Sequence, residues 1–357
     1  MTTSLDSPWT AAALAAEFTA ARGRTLALFE RLQRAIGPDT YPRYLPELSP
    51  PLWDLGHLAW YEGFWIARNP GLMAGDGDNA ITARAPVALL PKADVWFDDR
   101  RVNHPARWHQ PLPGVAPIAD WARRTREQTL VLLQAAARRE AALALFTRVL
   151  DAEDRLHEEW LAIAQTLGID PGAAADDPDE SPVADTGAAA IDAAPVSWAR
   201  YLPFVDAGGY EQREFWSDEG WDWRKRLGLV RPRHLGAPEA GDDTPLQRAR
   251  FGRWVPLDRA LPAMHLSWHE AQAWCRWAGR RLPRAAEWRG AQDGDDAFHW
   301  GQVWEWVASD EPDGAPGLIG ASFATAPRLR QQPASMCRAA DRNDGFCGFR
   351  SCPLDAA

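Results

Sequence analysis

Apolar side chains recur every three or four positions in four stretches of the first half of the chain. These stretches are residues 8–36, 50–68, 117–140 and 142–168, and each is long enough for several helical turns. A polar connection without clear periodicity, roughly 71–115, separates the second stretch from the third. Four successive amphipathic helices predict an antiparallel four-helix bundle.

The pattern changes after residue 168. Small, acidic and proline residues fill the next stretch, which is typical of a linker or an exposed loop. Beyond it, glycine, proline and tryptophan are frequent and the periodic segments are short, which predicts an irregular α+β domain. We therefore predict a helical bundle at 1–170, a linker at 171–195 and an α+β domain at 196–357.

The composition argues against two classes of binding partner. The chain has 39 lysine and arginine residues against 49 aspartate and glutamate residues, a net charge of −10, which argues against nucleic acid or an anionic membrane surface as partner. No apolar run approaches the ~20 residues that span a bilayer. The first nine residues lack the basic and apolar segments of a signal peptide, and we expect a cytoplasmic protein. The four cysteines lack the C-x-x-C spacing of a structural zinc site.

Two of the predicted helices carry candidate metal ligands. His57 lies in the second helix, and His157 lies in the fourth, with Glu153 four positions earlier on the same face. Histidines and carboxylates on helices are commonly core residues or solvated charges. A bundle core, however, builds metal sites from facing helices, and two imidazoles with one carboxylate suit non-haem Fe(II) and O2 chemistry. His104 and His109 are substitutes if this trio is wrong.

Longer strings resemble one enzyme family. The segment Gly56–Glu62, GHLAWYE, resembles the first metal motif of the ergothioneine-forming sulfoxide synthases and the related selenoneine synthases. The resemblance implies an N-terminal DinB-like four-helix bundle and a C-terminal domain like formylglycine-generating enzyme, a C-type-lectin-like fold. It also implies an Fe(II) cofactor, with an imidazole betaine, a thiol or selenol, and O2 as partners. The supporting strings in the second half are FVDAGGY at 204–210, WAGRRLP at 277–283, GQVWEW at 301–306 and GFR at 348–350.

The resemblance also implies roles for individual residues. His57 matches the first iron-binding histidine of the family, and His157 matches the second histidine of its later motif. Glu153 stands where that motif has another histidine, which either creates a site of two histidines and one carboxylate or means that metal binding is lost. The stretch Trp96–Asp99 looks nearer the selenoneine branch, and Arg101 after it is a candidate for substrate binding.

Three further substrate-binding candidates precede the Gly-Phe-Arg string. Arg342 matches an arginine of the family at this place, and a guanidinium there suits a substrate carboxylate held by two hydrogen bonds. Asn343 and Asp344 lie beside it and complete the predicted group. The family's tyrosine after Trp-Glu-Trp is not matched, because no tyrosine follows Trp306. We therefore assign no catalytic proton donor.

Three functions are consistent with these features. The first is a non-haem iron, O2-dependent oxygenase that couples a thiol or selenol to the imidazole of a histidine betaine. The second is a non-haem iron dioxygenase of a thiol or thioimidazole, which the missing tyrosine would suit. The third is a non-catalytic binding protein on the same scaffold, which the carboxylate at Glu153 permits.

Overall fold

A computed structural model describes residues 9–37, 44, 48–69, 71–72, 89–172, 190–236, 245–294, 297–308 and 316–354. The chain divides into two compact units, Met1–Trp160 and Leu161–Ala357. This division lies inside a long helix, ten residues before the boundary that we predict at 170. Most of the predicted linker at 171–195 lies outside the described residues.

The first unit is helical, as predicted. Each of the four periodic stretches contains a long helix, and α2 continues into a π-helical turn at Gly63–Ala67. The predicted connection is not structureless, because it holds one short helix and a 3-10 turn at Pro105–His109. The likeness to DinB proteins stays a prediction. The helices are α1 (Ala11–Ile36), α2 (Pro51–Glu62), α3 (Ala93–Trp96), α4 (Val115–Ala135) and α5 (Glu140–Leu167).

Local signals explain where these helices begin and how closely they pack. Thr10 Oγ1 accepts a hydrogen bond from the Ala13 amide at 3.2 Å and caps α1. Pro51 occupies the first turn of α2, where its missing N–H costs nothing. Gly56 lies against Phe97, so that a Cβ at this glycine would be 2.2 Å from the ring. The chain after α3 therefore packs directly on the backbone of α2.

In its described residues the second unit combines short helices with three small sheets, in agreement with the predicted α+β domain. The helices are α6 (Trp198–Asp206), α7 (Asp218–Leu227), α8 (Trp268–Trp277) and α9 (Ala285–Gly294). The strands are β1 (Leu235–Gly236), β2 (Gln247–Arg250), β3 (Arg253–Pro256), β4 (Arg280–Arg281), β5 (Trp304–Val307), β6 (Gly317–Gly320), β7 (Ala334–Cys337), β8 (Cys347–Phe349) and β9 (Cys352–Pro353). The sheets have the orders β1-β2-β3, β4-β9 and β7-β6-β5-β8, and β5 pairs with β8 in parallel.

Buried tryptophans and a buried ion pair lie in the core of the second unit. Trp288 and Trp306 are fully buried. The Arg350 guanidinium donates to both oxygens of Glu305, at 2.5 and 2.8 Å, and the Trp288 indole donates to the same carboxylate at 3.0 Å. Because both charges are buried, each depends on the other for compensation. Within the described residues, we find no helix of the length and apolarity that crossing a membrane requires.

Candidate metal and substrate sites

Two contacts fix the register between α2 and α5. At one end the Trp160 indole donates to Asp54 at 3.1 Å. At the other end Glu62 and Glu153 share the guanidinium of Arg22. Moving up α2 from the first contact to the second means moving down α5, so the two helices are antiparallel. His57 and His157 therefore lie at about the same level between the two contacts.

The ring of His57 is held in one orientation. Its Nδ1 lies 2.8 Å from the carbonyl oxygen of Phe97, and because a carbonyl only accepts, Nδ1 carries the proton. Trp53 stacks on the ring with a centroid distance of 5.0 Å and an interplanar angle of 8°, and Trp60 lies near it at 5.8 Å. In the neutral ring Nε2 then carries the lone pair, which is the form that binds a metal.

His157 offers a second neutral imidazole. Its side chain is buried, and its Nδ1 has no hydrogen-bond partner among the described residues. Burial and, to a smaller extent, the charge of Arg24 lower the pKa of His157 to about 4, against the opposing effect of Glu153. The ring is therefore uncharged near neutral pH. An uncharged imidazole with an unsatisfied nitrogen suits a metal ligand.

Glu153 has a different environment, a cluster of four buried charges. Arg22 Nε donates to Glu153 at 2.8 Å, and Arg126 Nη2 donates to its other oxygen. The same two arginines bind Glu62, each at 2.8 Å, so that two cations face two anions. Burial alone would raise the pKa of Glu153, but the two guanidiniums hold it at about 2. We call Arg22, Glu62, Arg126 and Glu153 the buried ion cluster.

The predicted ligand trio fits an iron ion only in part. The two imidazoles suit it, whereas Glu153 would have to leave two guanidiniums before it could bind a metal. Within the described ranges, no group of three or more His, Cys, Asp or Glu side chains is arranged to hold an ion. The structure thus does not bring His57, Glu153 and His157 together as a ligand set. The substitute ligands His104 and His109 do not belong to such a group either. His104 Nε2 donates to the Leu48 carbonyl at 2.8 Å, and His109 is exposed.

The predicted substrate-binding residues of the second unit are adjacent in sequence, and each is bound to another side chain of the protein. Arg342 donates to both oxygens of Asp344, each at 2.6 Å, and Arg338 adds a third bond at 3.0 Å. Burial opposes ionisation of Asp344, but these arginines keep its pKa below the usual value. Asn343 accepts from Arg233 at 3.3 Å. The fork that we predicted for a substrate carboxylate therefore already holds a carboxylate of the protein.

Arg101 belongs to the first unit. Its side chain is 72% exposed, and its Nε lies 3.4 Å from Asp98. At this exposure the pair contributes little to stability, so the guanidinium can exchange Asp98 for another anion at small cost.

Sequence analysis missed Arg22 and Arg126. A signal was present, because each arginine occupies an apolar position of a periodic helix, four residues after Phe18 and Ala122 respectively. A cation at a core position needs a buried anion, and Glu62 and Glu153 were the acids available at matching positions of the other helices.

Comparison with known proteins identifies several that are similar to this chain. Residues 162–302 match the family model of the sulfatase-modifying factor enzyme 1-like domain. The hercynine oxygenase of Mycobacterium tuberculosis is 29% identical over 353 residues, which cover 88% of this chain and 77% of the relative. The hercynine oxygenase of Mycolicibacterium thermoresistibile is 29% identical over 353 residues, with coverages of 88% and 74%.

A shorter match concerns the inactive C-alpha-formylglycine-generating enzyme 2 of Mus musculus, which is 43% identical over 67 residues, 19% of this chain and 21% of the relative. These matches agree with the predicted likeness of the C-terminal domain to formylglycine-generating enzyme. The second unit is thus similar to sulfatase-modifying factor enzyme 1-like domains, and the chain over most of its length is similar to hercynine oxygenases.

Proposed function

We propose that this protein is an oxygenase that acts on a histidine betaine. The observation that supports this proposal is the similarity to hercynine oxygenases over 88% of the chain. A similarity of that extent includes residues of both units and not the C-terminal domain alone. Oxidoreductase chemistry with O2 and a betaine substrate follows from the activity that the relatives' name gives.

The proposal also includes a bound metal ion. His57 and His157 are the donors that we propose for non-haem Fe(II), because both imidazoles lie at one level of the antiparallel pair α2 and α5. Glu153 supports them indirectly, by neutralising Arg22 and Arg126 one helical turn from His157. Metal binding at the imidazoles then requires no rearrangement of the buried ion cluster.

The second substrate is also a proposal. A thiol or selenol, coupled to the imidazole as in the sulfoxide and selenoxide synthases, is the co-substrate that the resemblance favours. Asp344 is paired with both Arg338 and Arg342, so Arg342 can turn to a substrate carboxylate while Arg338 keeps Asp344 paired. Asn343 beside it and the exposed Arg101 are further proposed contacts for the anionic parts of the substrates.

Two other functions each have one observation in their favour. The absence of a tyrosine after Trp306 favours a thiol or thioimidazole dioxygenase, which needs no proton donor for carbon–sulfur coupling. The two ion pairs of Glu153 favour a non-catalytic binding protein, because they occupy a carboxylate that would otherwise complete a three-ligand site.

Anaerobic reconstitution separates these functions. The protein is loaded with Fe(II), iron is quantified after desalting, and a histidine betaine with a thiol or a selenol is added before exposure to O2. A coupled sulfoxide or selenoxide in the mass spectrum supports the proposal, and an uncoupled sulfinate supports the dioxygenase. We expect His57→Ala and His157→Ala to lose iron, and His109→Ala, at an exposed histidine, to keep it. Absence of bound iron in all four proteins would favour the binding protein.

A further inference from the structure

Two polar side chains in the core of the first unit each have an atom without a hydrogen bond. Thr25 of α1 is fully buried, and its hydroxyl oxygen Oγ1 has no partner within the described residues. His157 of α5 is 7% exposed, and its ring nitrogen Nδ1 has no partner there either. Buried polar atoms in folded proteins are nearly always hydrogen-bonded, so an unsatisfied pair of this kind points to a role.

Other threonines of the same helices satisfy their hydroxyl groups on the backbone of their own helix. Thr19 of α1 donates to the Ala15 carbonyl at 2.8 Å, and Thr147 of α5 donates to the Leu143 carbonyl at 3.1 Å. This bond to the carbonyl four residues earlier is the common one for a threonine inside a helix. Thr25 does not make it, so its hydroxyl can bond to a group of another helix.

Contacts one turn before and one turn after Thr25 place it against α5. Before it, Arg22 Nε donates to Glu153 at 2.8 Å. After it, the ring of Phe29 lies 5.7 Å from that of Trp160, centroid to centroid. Thr25 is three residues from Arg22 and four from Phe29, and this spacing puts all three side chains on the same face of α1.

His157 occupies the matching place on α5. It is four residues after Glu153 and three before Trp160, so it shares the face that these residues turn towards α1. The two contacts follow one another in the same direction along both helices, so α1 and α5 are parallel and Thr25 lies at the level of His157. The charge of Arg24, next to Thr25, acts on the ring of His157, in agreement with this placement.

We propose that Thr25 is a positioning residue that fixes the tautomer of His157. One hydrogen bond, direct or through a single water molecule, runs from the Nδ1–H of His157 to the Thr25 hydroxyl and gives both atoms a partner. The lone pair of the neutral ring then lies on Nε2, the nitrogen left for a metal ion. Ligand histidines commonly donate their other nitrogen to such an outer partner, as His57 does to the Phe97 carbonyl. The consequence for metal binding rests on the proposed function.

The tautomer is measured by NMR on the metal-free, full-length protein with ¹⁵N-labelled histidine at neutral pH, and His157→Ala assigns the resonances. We expect the proton of His157 on Nδ1 in the wild type. Thr25→Val replaces the hydroxyl by a methyl group, and we expect it to move the population towards Nε2–H, because the Nδ1–H form loses its acceptor. Thr25→Ser keeps the hydroxyl and should keep the wild-type tautomer. A wild-type ring protonated on Nε2, or an unchanged tautomer in Thr25→Val, would overturn the proposal.

Metal affinity measures the consequence. Fe(II) is titrated anaerobically into the same proteins in competition with a coloured chelator. We expect Thr25→Val to weaken Fe(II) binding about 10–100-fold, as loss of an outer partner of a ligand histidine typically does, and Thr25→Ser to restore it. A wild-type protein that binds no Fe(II) would refute the metal site and not the contact between Thr25 and His157, which the tautomer decides.

Thr129 in α4 provides the matched control. It is also a fully buried threonine whose hydroxyl has no partner among the described residues. Arg22 donates to the Ala122 carbonyl and Arg126 donates to the Phe18 carbonyl, so α4 runs antiparallel to α1. Thr129 therefore lies on the other side of the buried ion cluster from the proposed metal ligands. Its replacement by valine should leave Fe(II) affinity within about twofold of the wild type, and equal losses at both threonines would contradict the proposal.

Discussion

At the scale of single residues, Arg126 of α4 connects three other helices through one buried guanidinium. Its side chain is 6% exposed, and it donates to Glu62, to Glu153 and to the carbonyl of Phe18. Every partner lies on a different helix. Loss of this side chain would leave two carboxylates with a single cation, Arg22, in an environment where water cannot replace the missing charge.

Replacement of Arg126 by Gln should therefore lower the free energy of unfolding by about 3–5 kcal/mol, the cost of breaking a buried ion pair from one side. Urea unfolding followed by circular dichroism measures this change. Arg123→Gln is the matched control on the same helix, because Arg123 pairs with Asp120 on the exposed face and should change stability by at most about 1 kcal/mol. Equal losses in both variants would contradict a special role for the buried ion cluster.

The neutral histidines of the second unit predict a pH dependence. The pKa values of His234 and His265 are lowered from 6.5 in the folded chain, so the unfolded chain takes up more protons below that pH. Stability is therefore complete above pH 6.5 and declines as the pH falls towards about 4. His265 has a positive φ, and its Nδ1 donates to the Gly345 carbonyl at 2.9 Å. Asparagine at this position keeps a donor for that carbonyl and tolerates positive φ, but it cannot take up a proton.

We expect His265→Asn to lose less stability on acidification than the wild type, by about 1.4 kcal/mol for each pH unit below the unfolded pKa. Denaturant unfolding from neutral pH to about pH 4 measures the slope. The exposed His109→Asn serves as control and should follow the wild type. A variant of His265 with the wild-type slope would show that this ring is not held neutral by folding.

At the scale of elements, a glycine in α2 allows another segment to approach. Gly56 lies under Phe97, whose carbonyl accepts from the ring of His57. Glycine inside a helix normally costs about 1 kcal/mol relative to alanine. Here the missing Cβ is what lets the aromatic ring reach the helix backbone, so the usual preference for alanine is reversed.

Gly56→Ala should consequently destabilise the protein by about 1–3 kcal/mol, because the new Cβ overlaps the ring of Phe97 and forces it to move. Gly23→Ala in α1 is the matched control, since nothing lies within 4 Å of a Cβ there, and it should stabilise by about 0.5–1 kcal/mol. Thermal unfolding gives both values. The same sign for both substitutions would be the contrary result.

The long helices were predictable from sequence because a period of 3.6 persisted over more than ten residues in each. Shorter elements carried no such signal. The helix α3 has four residues, and the strands of the second unit have two to four, so alternation cannot be distinguished from chance. These elements are fixed by contacts distant in sequence, such as Gln165 with the hairpin of β2 and β3.

At the scale of the whole molecule, sequence placed His57 and His157 on the facing helices that the structure shows. It could not show that Glu153 is already paired, because its partner Arg126 becomes a neighbour only when the chain folds. Nor could it show that Arg342 is paired with Asp344, because these two side chains align only in the folded chain. Helical phase indicates which way a side chain points, but it does not indicate which residues the side chain contacts. The resemblance to a family supplied the domain likeness that periodicity alone does not give.

The overall charge predicts behaviour towards polyanions. With a net charge of −10, the protein as a whole repels a polyanion such as DNA. We expect no saturable binding to labelled duplex DNA at physiological ionic strength, measured by fluorescence anisotropy. A binding curve that weakens steeply with added salt would be the opposite result.

The buried ion cluster also limits how this protein can diverge in evolution. A histidine at position 153 would leave Arg22 and Arg126 with one anion, Glu62, so a lineage that gains the imidazole must lose an arginine at nearly the same time. Positions 22, 62, 126 and 153 should therefore be inherited as a set. Homologous sequences that combine a histidine at position 153 with arginines at both positions 22 and 126 should be rare.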